Sequence, residues 1–150
     1  MSGSSRFAVA VHILTLLAGS QEEPLTSEYV AASVNTHAVV IRRVLGALRA
    51  ARLVTSRGGA HGGWRLVGDP AAITLRDVYR AVENDGLFGL PQRPPNAGCP
   101  VGRHIQQALA PRFAAAAQAM EAELGRATVG DVLREVREHA ADHLAVGARH

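Results

Sequence analysis

The sequence predicts a mainly α-helical fold, with one small two-stranded hairpin in its first half and a long helix in its second. Three observations lead there. Apolar residues recur at helical spacing through most of the 150 residues. Residues 53–67 alone break into two short β-type runs, around Gly58, Gly59, Gly62 and Gly63. A stripe of Ile105, Leu109, Phe113, Ala116, Met120 and Leu124 then continues for some twenty positions.

The elements follow in order. Phe7, Val11, Leu14 and Leu17 lie at helical spacing, with Val9, Ile13 and Leu16 on the other faces, so the first helix is expected to be buried on most sides or shared with a partner. His12 on it reads as a packed, hydrogen-bonded histidine. Gly19 and Ser20 stop this helix, and residues 21–24 form a surface turn. Thr26 or Ser27 caps a short second helix, after which Asn35 and Thr36 turn the chain and cap a third, expected over residues 36–51. In the third helix Ile41, Val44, Leu45 and Leu48 form the core-facing stripe. Val39, Arg43 and Gly46 occupy the opposite side, His37 and Ala38 the opening turn, and Arg42 the flank.

Two helices joined by a tight turn, the second with a small cationic outer face, make a helix-turn-helix. The expected strands, residues 53–57 and 64–67, flank a glycine loop able to lie close to a phosphate ridge, which makes the hairpin a wing. Asp69 and Pro70 end this unit, giving an expected DNA-binding unit over residues 1–70 and a second region over 71–150. In that second region Thr74 with Asp77, and Thr128 with Asp131, match the capping box, so helices are expected to begin at Leu75 and Val129, the second with Val129, Val132, Leu133 and Val136 on one face. Residues 86–100 carry Pro91, Pro94, Pro95 and Pro100 among glycines and are expected to be an irregular loop. The long helix should run from Val101 or Gly102 to Gly125, with Pro111 kinking or restarting it, and is expected to serve dimerisation. Residues beyond about Ala140 read as a frayed tail.

Charge sets the expected partner. Residues 1–70 carry seven arginines against four acidic residues, whereas residues 71–150 balance nine against nine. Between Tyr29 and Gly68 stand Arg42, Arg43, Arg49, Arg52, Arg57 and Arg65 with no acidic residue. A helix and hairpin of one sign fit double-stranded DNA. Arginine pairs bidentately with guanine and also neutralises phosphate. The expected DNA-binding residues are therefore Thr36, His37, Val39, Arg42 and Arg43 on the helix, and Arg57, Gly58, Gly59, His61, Gly62 and Gly63 on the wing. The same basic face also fits a protein-interaction module that binds no specific DNA. Trp64, the single tryptophan, reads as an anchor beneath the wing.

Other classes are poorly served. The chain has no lysine, so neither a lysine-bearing phosphate loop nor a Schiff-base lysine exists, and no histidine falls in a zinc-protease spacing. No catalytic or metal-binding residue is expected. Cys99 is the one cysteine, which points to a reducing cytoplasm and not to a disulfide-held secreted fold. Arg6 and the apolar run after it have the order of a signal peptide, but His12 interrupts the run, no cleavage motif follows, and it is too short to span a bilayer. Cys99 precedes Arg103 and His104 in the proline-rich loop. It reads either as a sensor thiol, with an oxidant as signal, or as a structural cysteine; a small-molecule signal bound near the loop is a third alternative.

The run LRAARLVTSRGGAHGGWRL, followed by ITLRDVYRAVE and CPVGRHI, resembles the Rrf-two family of winged-helix transcription regulators, in its YwnA-like branch. The resemblance covers nearly the whole chain. It implies a cytoplasmic homodimer with a winged helix-turn-helix on each subunit, crossed long helices at the interface, and a role as a repressor on a pseudo-palindromic operator. Two departures stand out. The family usually has glycine where Arg52 stands, and its iron-sulfur members carry three cysteines before the long helix, where this chain has Cys99 alone. No cofactor is therefore expected.

Overall fold

The computed structural model describes residues 5–147. Six helices and one hairpin follow in order: α1 (Ser5–Ala18), α2 (Ser27–Val34), α3 (Ala38–Ala50), β1 (Val54–Arg57), β2 (Gly63–Leu66), α4 (Leu75–Val82), α5 (Pro100–Leu124) and α6 (Val129–Gly147), with a short 3-10 turn at Pro70–Ala72. The fold is mainly helical with a two-stranded antiparallel wing.

α1 is the element the others pack on. It buries Ala10, Ile13, Leu14, Thr15, Leu17 and Ala18, and it meets α2, α3, α4, α6 and β2. Thr15 is tolerated inside because its hydroxyl donates to the Val11 carbonyl, leaving no polar hydrogen without a partner. His12 is exposed rather than packed, although its Nε2 does lie 3.0 Å from Ser33 Oγ. The core draws on both sides of residue 70: Ile73, Val78, Val82 and Val129 are buried together with Ile41, Leu45, Leu48 and Val54.

Local chemistry sets most boundaries. Thr26 caps α2 by accepting from the Tyr29 amide, and Asn35 ends α2 in the left-handed region at φ 62°, one of the few non-glycine residues at ease there. The expected cap of α3 is displaced by one residue. His37, not Thr36, is the N-cap, and no side chain caps this helix. Thr36 instead gives its amide to Ala31 at the end of α2, because the turn needs that donor for its own closure.

Both threonine-aspartate capping boxes form, with Thr74 to Asp77 at 3.0 and 3.1 Å and Thr128 to Asp131 at 2.9 and 3.1 Å. They also pair with each other. Thr74 bridges Thr128 antiparallel, Leu75 donates to Ala127, and Val129 donates to Ile73, so α4 and α6 start side by side.

α5 is a single helix of 25 residues that continues through Pro111, so no restart occurs there. None of its residues is buried, although Ile105, Leu109, Phe113, Met120 and Leu124 are half-buried. Its ties to α4 include Arg80, whose guanidinium grips Glu121 at 2.8 and 3.1 Å. That hydrogen bond is the largest cause holding the Glu121 carboxyl below its ordinary range. Phe88 from the preceding loop stacks on Phe113 at 4.7 Å. The expected frayed tail after Ala140 is instead helical: α6 continues to Gly147, since 141–147 hold alanine, leucine and valine and no proline to stop it. His150, the last of the tail histidines, lies outside the described residues.

Arg52, just after α3, sits at φ 62°, where a Cβ costs about 1–2 kcal/mol. Glycine would remove that strain and add about 0.5–1 kcal/mol of chain entropy cost. Arg52→Gly is therefore expected to raise stability by up to about 1 kcal/mol, a few degrees in a thermal melt. A variant that melts well below the parent would mean that the guanidinium contributes more than the strain removes.

Candidate nucleic-acid interface

The candidate interface consists of α3 and the wing. α3 buries Ile41, Val44, Leu45 and Leu48, the predicted stripe, and this fixes which residues look outward. Val39, Val40, Arg42, Arg43, Arg49 and Ala50 are exposed, and a Cβ placed on Gly46 would meet nothing within 4 Å. The outer face is thus small, with Arg43 near its centre.

β1 and β2 pair in the register Val54 with Leu66, Thr55 with Arg65, Ser56 with Trp64, and Arg57 with Gly63. Leu25, between α1 and α2, adds an edge that sequence periodicity could not reveal: it exchanges two backbone hydrogen bonds with Trp64, at 2.8 and 3.0 Å. Trp64 anchors the hairpin as expected. Its ring packs half-buried on the core, its Nε1 donates to Ser27 Oγ at 3.2 Å, and the Arg49 guanidinium lies 5.3 Å from its ring centre.

The four wing glycines divide into two kinds. A Cβ on Gly62 would run into the Arg57 carbonyl and Gly58, and one on Gly63, at φ 147°, would lie 2.7 Å from the Leu25 carbonyl oxygen. These two are used by the fold itself. Gly58 and Gly59 face open space, and Gly59 has φ 95°. They and Ala60 and His61 form the exposed tip.

The six arginines also divide. Arg65 donates to the carbonyls of Gln21 and Glu22, closing the turn after α1 onto β2. Arg49 reaches Ser56 Oγ at 3.2 Å. Arg42 pairs with Glu28 at 2.7 Å. Glu28 stands one residue before the acid-free window, and the fold lays it over the helix. Such an exposed pair is worth about 0–1 kcal/mol, little enough for a phosphate to compete for the guanidinium. Among the described residues Arg43, Arg52 and Arg57 make no ion pair and no side-chain hydrogen bond. Arg52, outside the expected DNA-binding set, is exposed directly after the α3 stripe.

Thr36 is half-buried at the turn and His37 is exposed at the first turn of α3. The outer flank of α3 opens into a cleft of about 830 Å³, where Val40, Arg43 and Ala47 face Arg6 of α1 and Glu83 and Asp85 after α4. Cys99 is exposed and stands at the N-cap position of α5, over 30 positions from the wing in sequence. Asn96 Oδ1 accepts from the Gly98 amide and Arg103 donates to the Ala97 carbonyl, so the end of the loop is folded onto the helix start.

A helix-turn-helix whose second helix presents arginine, followed by a hairpin with a glycine tip, defines a winged helix-turn-helix protein. Residues 3–135 match the model of the Rrf2 family, described as an iron-dependent transcriptional regulator. YwnA of Bacillus subtilis (strain 168), described as an HTH-type transcriptional regulator, is 45% identical over 134 residues, covering 89% of this chain and 98% of YwnA. A crystal structure of a protein described as DNA binding is 43% identical, with a TM-score of 0.69 over 85% of this chain and 98% of that one. A Lactobacillus plantarum protein described as a transcriptional regulator shares the fold at 22% identity, with a TM-score of 0.74 over 97% and 98% of the two chains. The chain belongs to the Rrf2 family of transcriptional regulators.

The family description names iron, and iron makes a definite demand on the donor set. A cluster is held by about four cysteine or histidine ligands. Here the loop before α5 offers Cys99 alone, and no group of three His, Cys, Asp or Glu side chains that could hold a metal comes together among the described residues. The described residues of this chain do not fit a cluster of that kind. No helix among the described residues is long and apolar enough to cross a membrane.

Proposed function

We propose that this chain is a sequence-specific DNA-binding repressor that acts in the cytoplasm as a homodimer on a pseudo-palindromic operator. The observation that carries the reading is the placement of Arg43 on the outward face of α3 and Arg57 on the adjoining wing, both without ion-pair partners among the described residues, although Glu83 and Asp85 stand across the cleft beside Arg43 and Glu28 forms a weak exposed pair with Arg42. α3 enters the major groove, and the wing tip from Arg57 to Gly63, with His61, lies along the neighbouring backbone or minor groove. The region after residue 70 supplies the pairing surface. A 25-residue helix with no fully buried residue in its own chain, and a half-buried stripe from Ile105 to Leu124, fits a second copy.

Footprinting on the DNA upstream of its own gene tests this. Two protected half-sites about 10 base pairs apart, or a multiple of that, are expected. Affinity no greater for that DNA than for random duplex would overturn the reading in favour of a protein-interaction module.

The proposed signal is an oxidant acting on Cys99 without any iron-sulfur cluster. The purified protein is expected to be colourless, and Cys99→Ser to remove an oxidant-dependent loss of DNA binding while leaving the melting temperature within about 2 °C. An oxidant response that survives in Cys99→Ser would move the signal to a bound small molecule.

A further inference from the structure

The outward face of α3 is unusual for what it lacks. Beyond Arg43, the flanking Arg42 held by Glu28, Arg49 drawn to Ser56 on the wing, and His37 at the N-cap, it offers a base edge no hydrogen-bonding side chain: Val39 is 56% exposed, Val40 is 40% exposed, Gly46 has no side chain, and Ala50 is exposed. Val39 stands one turn before Arg43 on the same face, in the first turn of the helix, the part that reaches base edges when such a helix enters the major groove. Its χ1 is stiff because the side chain is β-branched, so its two methyl groups are held in a fixed direction. The open space over Gly46 lets the helix backbone come close to the groove floor.

The major-groove edges of base pairs present donors, acceptors and one apolar group, the C5-methyl of thymine. A stiff, exposed valine has no hydrogen bond to offer, so the thymine methyl is the base-edge group from which it gains most.

We infer that Val39 is a specificity-determining residue that reads a thymine methyl in each half-site, beside the guanine paired by Arg43. Residues 39 and 43 are separated by about 6 Å along the helix, so the thymine lies within about two base pairs of that guanine. Specificity in each half-site then comes from one bidentate pair and one apolar contact.

This inference rests on the DNA-reading function proposed above, and the experiment separates the two. The full chain is used to enrich its preferred duplex from a random pool. That duplex is then synthesised with deoxyuridine in place of thymidine, position by position and throughout, and binding is measured at one fixed salt concentration. One position per half-site is expected to lose about fourfold in affinity when its methyl is removed. Val39→Ala, at an exposed helical site where alanine is well tolerated, is expected to bind thymidine and deoxyuridine duplexes equally. Equal binding of both duplexes by the parent protein would overturn the inference while leaving DNA reading intact, as would a methyl preference that persists in Val39→Ala. If the pool yields no preferred duplex, the proposed function itself falls and takes the inference with it.

Discussion

Replacing Gly63 by alanine is expected to destabilise the protein by about 3 kcal/mol or more, and to lower its melting temperature by roughly 10 °C. Two causes add. At φ 147° the backbone is in a region open almost only to glycine, at a cost of about 1–3 kcal/mol for any other residue. The new methyl would also stand 2.7 Å from the Leu25 carbonyl oxygen and 2.9 Å from its carbon, inside van der Waals contact. Relief requires Leu25 to move away, which breaks its two hydrogen bonds to Trp64 and loosens the hairpin from the start of α2. Trp64 fluorescence is expected to shift toward that of a solvated indole well before global unfolding.

Gly58→Ala is the control for this account. No atom lies within 4 Å of the added methyl and φ is not positive there, so stability is expected to stay within about 0.5 kcal/mol. If Gly63→Ala melts with the parent, the wing is held by something other than this close approach.

The second large effect is expected on DNA. Arg43→Ala should reduce operator affinity by about 10- to 100-fold per half-site, the range for removing one bidentate pairing with guanine, and should relax the preference at that base pair. Folding is expected to be unaffected, because Arg43 is exposed and makes no ion pair or side-chain hydrogen bond among the described residues. Arg57→Ala is expected to behave differently. A wing guanidinium on a phosphate weakens all sequences alike when it is removed, so the salt slope falls by about one for each phosphate that a protomer no longer neutralises, while base preference is kept. The two variants together separate base reading from backbone attraction. Binding titrations of each at three salt concentrations decide the matter; two variants that both bound more weakly without any change in preference would remove Arg43 from the base edge.

Arg42 is expected to fall between these. Its partner Glu28 must release it before it can meet a phosphate, and the exposed pair is weak enough to be exchanged. The charge census along the chain could not foresee that competition, since Glu28 lies just outside the run without acids.

What the sequence determined by itself was most of the elements and the inward face of α3, whereas Val136 of the expected α6 stripe and Ala116 of the expected α5 stripe are exposed. The stripe of Ile41, Val44, Leu45 and Leu48 was readable because helical periodicity is a property of neighbouring residues, and the core holds all four. The starts of α4 and α6 were readable because a capping box closes within three residues. The tail beyond Ala140 is helical and not frayed because α6 meets no stop signal before Gly147.

The tertiary structure alone decided how similar residues part company. Arg65 closes a turn while Arg43 and Arg57 make no ion pair among the described residues, Gly63 makes room for Leu25 while Gly58 faces open space, and two separate caps become one bridge at Thr74 and Thr128. Each of these depends on a residue tens of positions away arriving within a few ångströms. Local periodicity carries no record of such arrivals, because they are set by how the helices pack around α1 and not by the spacing along any one of them.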